Sequence, residues 1–387
     1  MDQSTKVSPG SHSRSHSFPL TPPATVEKPS CDEIDETRTI KDIKPRKLFT
    51  KLRKNTRKPK LKHRPESGTV FDLDQYMNGL CGKKDAMNAA FVRYAFQHSK
   101  RIVVVIGAGV SVAAGIPDFR SSEGLFSILK GKHFSTGKDL FDFNKVYSSD
   151  EMSIAFNSMI TKLHKMSSEA KPTQFHELLN RVSLEGRLQR LYTQNIDGLD
   201  TRLNDLQTRV PLEKPIPSTI QLHGSINHMV CNKCAKIAQL DPTIFKNELC
   251  DEENSTIIPT CRQCEEFESV REIAGLRLKG IGKLRPRVVL YNEIHPEGDI
   301  IGEVTGTDLK KKPDCLIIAG TSLKIPGVKN ICRQFAQKVK SSNGIVLYMN
   351  KEMPSQSMID HIGCVDLILL GDCQNVPQLL QDSTESF

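Results

Sequence analysis

The 387-residue chain carries 54 Lys and Arg against 45 Asp and Glu, a formal net charge of +9, and its apolar fraction is 37%. That length holds one large domain or two modest ones with tails, and the low apolar fraction implies that part of the chain lies outside any core. No apolar run approaches the ~18 residues of a membrane span, and Met1-Asp2-Gln3-Ser4 opens without the apolar segment of a secretory signal.

Residues 1–30 are rich in Ser, Pro and Thr and show no apolar periodicity, so they read as disordered. Asp2, Glu27 and the acids between Asp32 and Glu36 speak against a mitochondrial transit peptide. Residues 1–70 hold 16 basic and 8 acidic side chains, the rest of the chain 38 and 37, so the net charge belongs to the tail. Within it, residues 44–64 contain 11 Lys and Arg and no acid. Such a stretch is a solvated linker, a nuclear import signal or a nucleic-acid-binding arm, and its two separated clusters favour import. The organisation expected is a disordered basic region over 1–70, a catalytic domain over 71–378 with a small module inserted at about 225–285, and a tail over 379–387.

From residue 85 the pattern changes. AMNAAFVRYAFQHS (86–99) has helical spacing, and IVVVIGAG (102–109) is a β-branched run ending in glycines, the mark of a buried parallel strand. Four similar runs follow: RLQRLYTQ (187–194), DCLIIAGT (314–321), GIVLYMN (344–350) and VDLILLGD (365–372). Helical stretches such as GVKNICRQFAQKVKSS (327–342) lie between most of them. Alternation of this kind predicts an α/β fold with a doubly wound, Rossmann-like parallel sheet. Each run ends in Gly or small polar residues, and in open parallel sheets the ligand binds outside the carboxyl ends of the strands. The five ends therefore outline one crevice.

The first end, GAGVSVAAGIPDFR (107–120), permits a tight turn and close backbone approach to a pyrophosphate, ahead of a helix N-terminus. Generic packing is the competing reading. The third glycine, Gly115, is not at the dehydrogenase spacing, and no acid stands about 20 residues on, so a hydride-transfer enzyme is disfavoured. Asp118 and Arg120 form either a surface ion pair or a cover for a bound ribose. Eleven cysteines without a secretory signal suggest a reducing compartment. There, Cys231-x-x-Cys234 and Cys261-x-x-Cys264 offer two knuckles for a tetrahedral zinc site, free thiols or a substitute ligand Cys250 being the alternatives. Cys31, Cys81, Cys315, Cys332 and Cys364 read as tail or packing residues. His223 precedes the first knuckle; His228 reads as structural or exposed, and His176 and His295 lack a supporting pattern.

Taken in order, GAGVSVAAGIPDFR, TQNIDGLD (193–200), QLHGS (221–225), the two CxxC pairs, GTSL (320–323), Asn350 and GDC (371–373) closely resemble the sirtuin family over about residues 90–375. On GTSLKIPGVKN (320–330) and VVLYNE (288–293) the chain resembles most the nuclear branch acting on a core histone. Many sirtuins have Phe-Gly-Glu where this chain has Tyr291-Asn292-Glu293, a segment that forms part of the acyl-peptide groove in relatives.

The resemblance implies NAD-dependent removal of acetyl groups from lysine, yielding nicotinamide, O-acetyl-ADP-ribose and free lysine. A role in silencing and genome stability goes with it. His223 is implied as general base toward a ribose hydroxyl, suited by the ordinary imidazole pKa of about 6.5, with Asn195 as its catalytic companion. Implied to hold the cofactor are Gly107, Ala108, Gly109, Ser111, Ile116, Asp118, Phe119 and Arg120 from the first loop. Gln194, Asn195, Ile196 and Asp197 follow from the second, Gly320, Thr321 and Ser322 from the third, and Asn350, Lys351, Glu352 and Cys373 at the adenosine end. Cys231, Cys234, Cys261 and Cys264 are implied to hold structural zinc without a catalytic role. The expected partner is an acetylated protein, a histone above all, in the nucleus, with weak nonspecific DNA contact through the basic arm and no membrane. The alternative activities are mono-ADP-ribosyl transfer or removal of longer acyl groups at the same site; a chromatin-binding module without catalysis is disfavoured because Asn195, Asp197 and His223 are all present.

Overall fold

The computed structural model describes residues 59–80, 82–118, 139–245 and 258–381. Residues 1–58, with most of the basic stretch 44–64, and residues 382–387 lie outside these residues, as do Cys81, Phe119, Arg120 and Cys250. Among the described residues ten strands occur: β1 (Thr69–Asp72), β2 (Ile102–Ile106), β3 (Leu188–Thr193), β4 (Thr219–Gln221), β5 (Gly224–Cys231), β6 (Ile237–Gln239), β7 (Leu284–Val288), β8 (Cys315–Ala319), β9 (Ile345–Asn350) and β10 (Leu367–Leu370).

Seven of them form one sheet in the order β1-β10-β9-β8-β2-β3-β4, parallel throughout. The five apolar runs of the sequence are β2, β3, β8, β9 and β10. Their side chains alternate between two cores, as a period of two requires. Ile102, Val104 and Ile106 pack with Phe91, Phe96 and Leu179 from helices Lys83–His98 and Gln174–Leu184. Val103 and Val105 point the other way, into the core that holds Val328, Phe335 and Met358 from helices Pro326–Ser341 and Gln356–Ile362. The sheet is thus covered by helices on both faces, as doubly wound sheets are. No helix among the described residues is long and apolar enough to cross a membrane.

Strand order reverses at β2, which has β3 on one side and β8 on the other. Register places Ile106 beside Thr193 and Ala319, Ala319 beside Met349, and Asn350 beside Leu370, so the five strand ends share one edge. In open parallel sheets a ligand binds at such a reversal point, outside the carboxyl ends of the strands. On β3, Arg190 and Tyr192 share a face and both reach Asp308 of the helix Gly298–Lys310. Arg190 binds both carboxylate oxygens, at 2.7 and 3.1 Å, and the Tyr192 hydroxyl donates at 2.9 Å. Asp308 is fully buried.

The inserted module is antiparallel, in the order β6-β5-β7, with the helix Arg262–Ile273 set against it. At the other edge of the large sheet, β1 pairs with β10. Just before β1, Arg64 donates to Asp366 at 2.9 Å and to the carbonyls of Gly344 and Asn343 at 3.1 and 3.0 Å. The packed chain therefore begins ahead of residue 71, and its last helix, Asn375–Gln381, runs past residue 378.

Candidate active site and metal centre

Leaving β2, the chain makes two 3-10 turns, Ala108–Val110 and Val112–Ala114, and ends them at Gly115 with φ 80°. The α-helix expected directly after the glycines is absent among the described residues: Gly115 in the left-handed region, followed by Pro117, stops the turn. The glycines themselves are needed for closeness. A Cβ on Gly107 would sit 2.7 Å from the Thr321 side chain, and one on Gly109 would sit 2.8 Å from the Gly320 backbone. Gly107 donates to the Ala319 carbonyl at 3.0 Å and Gly109 to the Gly320 carbonyl at 2.9 Å, so the ends of β2 and β8 are bonded together.

The end of β3 joins the same group. Gln194 donates from Nε2 to Thr321 Oγ1 at 2.8 Å, and Asn195 from Nδ2 to Ser111 Oγ at 3.2 Å. Asn195 is buried, and its Oδ1 has no partner among the described residues. A buried amide oxygen left this way calls for a donor. Asp197 is buried beside it. Burial raises its carboxyl, while the Leu199 amide, the Ser111 hydroxyl and the Arg202 charge act against that rise. Burial pushes Asp200 up to about 7, and the Asp197 charge adds to it. Ile196 and Ile116 lie in the core beneath, together with Phe156 and Leu199.

His223 follows β4 and is half-buried. Its Nδ1 lies 3.1 Å from the Gln194 carbonyl. A carbonyl only accepts, so Nδ1 carries the proton and Nε2 bears the lone pair. Gly224, with φ 78°, makes the turn into β5 possible: a Cβ there would meet the Arg287 carbonyl at 2.1 Å.

The remaining candidates form a second group along the edge. Asn350 donates to the Glu352 carbonyl at 3.2 Å, and Lys351 pairs with Asp372 at 3.0 Å. Cys373 is buried, which pushes its thiol up to about 12. Ser322 is exposed on the turn after Thr321, and Asp118 closes the described part of the first loop. Gln374, which the sequence did not single out, joins the two groups. It accepts from the Phe175 amide at 2.9 Å and donates to the Val110 carbonyl at 3.2 Å. Thr173 donates to that same carbonyl at 3.3 Å. A cleft of about 700 Å³, lined by Asp74, Lys351, Asp372 and Gln374 among others, opens at this second group rather than beside His223.

In the inserted module Cys231 ends β5, Cys234 lies on the turn after it, Cys261 caps the helix Arg262–Ile273, and Cys264 lies in its first turn. All four sulfurs lie within 4.8 Å of one another, with Cys231 to Cys264 and Cys234 to Cys261 both at 3.7 Å. Tetrahedral zinc with bonds of about 2.3 Å puts sulfurs about 3.8 Å apart, so the four thiols fit that ion. Burial opposes ionisation of Cys231, but the amides of Cys234 and Lys233 aimed at its sulfur bring the thiol down to about 7. Gly282 leaves the space: a Cβ there would lie 2.4 Å from the Cys231 sulfur.

Comparison with known proteins bears on this site. The Sir2 family model matches residues 107–327. The chain is 56% identical to "NAD-dependent histone deacetylase HST4" of Saccharomyces cerevisiae, over 94% of this chain and 98% of the relative. It is 47% identical to "NAD-dependent protein deacetylase hst4" of Schizosaccharomyces pombe, over 72% of this chain and 66% of that protein. Among solved structures, a "Sir2 homolog-NAD complex" shares the fold with a TM-score of 0.54 at 21% identity, covering 76% of this chain and 92% of that one. On the family match and on the extent of the first relative, the chain belongs to the Sir2 family.

Proposed function

We propose that the chain is an NAD-dependent protein-lysine deacetylase acting on acetylated histone in the nucleus. The observation that carries this reading is the linkage of His223, Gln194, Asn195, Ser111 and Thr321 across the ends of β2, β3, β8 and β4. The names of the relatives supply the reaction class.

Bound NAD would supply an electrophilic ribose carbon with nicotinamide as leaving group, and a ribose hydroxyl to take up the acetyl group. Gly107, Gly109 and Gly320, where β2 and β8 close too tightly for a side chain, would receive its phosphates together with Ala108 between them. Asn195 would turn its unpartnered oxygen toward the cofactor, with its nitrogen held by Ser111. Asp197, on the same turn and with its Oδ1 accepting the Leu199 amide at 2.9 Å, would face the carboxamide end. Asn350, Lys351, Glu352 and Cys373 would lie at the adenosine end, with Phe119 and Arg120 completing the first loop. His223, held by the Gln194 carbonyl through Nδ1, would take the ribose hydroxyl proton at Nε2. Cys231, Cys234, Cys261 and Cys264 would hold zinc with every position filled by thiolate, a structural arrangement with no open site for substrate.

The test is His223→Ala. Turnover of an acetylated histone peptide should fall at least about 100-fold, the scale of general-base catalysis, while NAD affinity measured by calorimetry stays within about threefold. A variant that keeps substantial turnover overturns the role given to His223. Nuclear import through residues 44–64 belongs to the same reading and rests on 11 basic residues in an acid-free stretch.

A further inference from the structure

Asp74 stands ahead of the residues 107–327 that the family model matches, in the short helix Leu73–Met77 that follows β1. Pairing of β1 with β10 brings this helix to the carboxyl edge of the sheet, because Asp72 lies opposite Leu370. Leu73 is buried in the same core as Leu379 of the last helix, Asn375–Gln381. Asp74 is thereby set against the chain that leaves β10. Its Oδ1 accepts the Asp372 amide at 2.9 Å and Asn375 Nδ2 at 2.7 Å. Gly371, with φ 125°, leaves room for the carboxylate, since a Cβ there would collide with it.

The turn held in this way, residues 371–375, is tied to the rest of the edge. Gly371 donates to the Asn350 carbonyl at 3.1 Å, and Asp372 pairs with Lys351 at 3.0 Å. The Gln374 amide donates to Asp372 Oδ1 at 3.0 Å, and its side chain reaches the Val110 carbonyl of the first loop at 3.2 Å. Met77 and Asn78 line the cleft of about 700 Å³ together with Lys351, Asp372 and Gln374. The strand order decides which end of a dinucleotide would lie there. His223 follows β4, the glycines close β2 on β8, and the cleft adjoins the ends of β9 and β10, beyond the glycines. At about 4.8 Å per strand, β9 and β10 lie about 10 and 14 Å from β2. A cofactor with its reactive ribose at His223 and its phosphates on the glycines therefore extends its second nucleoside toward this cleft.

We infer that Asp74 is a positioning residue for NAD: from outside the region matched by the family model it holds the 371–375 turn, a wall of the cleft that receives the nucleoside farthest from His223. This rests on the NAD-dependent reading above. Asp74 is bonded to the turn and not to reacting atoms, so its loss should weaken cofactor binding and leave the chemical step alone. Both bonds end on one oxygen, so an acceptor is required there rather than a charge.

Titration calorimetry on the full chain tests this with NAD and with ADP-ribose, which keeps the far nucleoside and lacks nicotinamide. Asp74→Ala should raise both dissociation constants about fivefold to tenfold, the scale of two lost hydrogen bonds. In turnover the NAD KM should rise by the same factor, with kcat and the acetylated-peptide KM within about twofold of wild type. Asn375→Ala removes one of the two bonds and should raise the NAD dissociation constant about twofold to threefold. Asp74→Asn keeps an acceptor and should bring both ligands back to within about twofold of wild type. Hydrogen exchange at the Asp372 amide should quicken in Asp74→Ala and recover in Asp74→Asn. Unchanged affinities in a folded Asp74→Ala, or an Asp74→Asn no better than Asp74→Ala, overturn the proposal. If Asp74→Ala does not fold, Asn375→Ala decides, and an unchanged NAD affinity there overturns it. A wild-type chain that binds neither NAD nor ADP-ribose overturns the cofactor reading itself, and this inference with it.

Discussion

Asp308→Ala removes the acceptor of a buried cluster and leaves its donors behind. The Arg190 side chain is 8% exposed and that of Asp308 is not exposed at all, so the charge that remains cannot turn to water. Arg190 would keep only its bond to the Pro217 carbonyl, and the Tyr192 hydroxyl would lose the acceptor it now has at 2.9 Å. Lys311, half-exposed and paired with Asp308 at 3.2 Å, would relax into solvent at little cost. Breaking a buried ion pair from one side costs about 3–5 kcal/mol. That is a large part of the ~5–15 kcal/mol that holds a domain folded. At roughly 2–4 °C per kcal/mol for a domain of this size, the melting temperature should fall by about 6–20 °C. Urea unfolding followed by circular dichroism measures the loss directly. The apolar double replacement Arg190→Met with Asp308→Leu should cost much less than Asp308→Ala, because it removes the stranded charge. A loss below about 1 kcal/mol for Asp308→Ala, or a double variant as damaged as the single one, would refute the argument.

Metal analysis should find about one zinc per chain, and chelation or Cys231→Ala should unfold the β5–β7 module; a metal-free chain with a normal melt contradicts the site. His176 is buried, and burial holds its ring down to about 4 against an ordinary 6.5. The folded state then binds fewer protons than the unfolded state between those values. Stability from this residue is complete above about pH 6.5 and is lost, by up to about 3 kcal/mol, as pH falls toward 4. Wild type should therefore lose more stability than His176→Gln across that window, and parallel pH profiles would count against it. Deleting residues 44–58, which spares the Arg64 anchor, should move a fluorescent fusion out of the nucleus, and affinity for DNA through the same charges, where present, should fall steeply with salt. A deletion that remains nuclear removes the import reading.

Much of the sheet was legible because its strands are buried on both faces. A run such as IVVVI needs no alternation to be read as a parallel strand, and all five runs of this kind are strands. β4, with three residues, and β1, with four, are too short for a pattern to emerge. The helices read at 86–99 and 327–342 run Lys83–His98 and Pro326–Ser341, a shift of one to three residues at their ends. The cysteine tetrad was readable because ligand chemistry dictates its spacing. His176 was not, since its partner is Thr173 in a capping box, a signal that ordinarily carries Glu or Gln at that position. Gln374 escaped because it acts by folding back onto a carbonyl 264 residues away. Nothing local in the sequence marks such a bond.

The pairing of β1 with β10 also sets a timetable. The partner of Thr69 is Leu367, made about 300 residues later, at roughly 5–20 residues per second. For about 15–60 s of synthesis β1 has no neighbour, while β2, β3 and β4 can already assemble behind it. The edge of the sheet is thus the last piece laid down. Until β10 is made, the strand and the Arg64 anchor before it are exposed to any chaperone that recognises a bare edge.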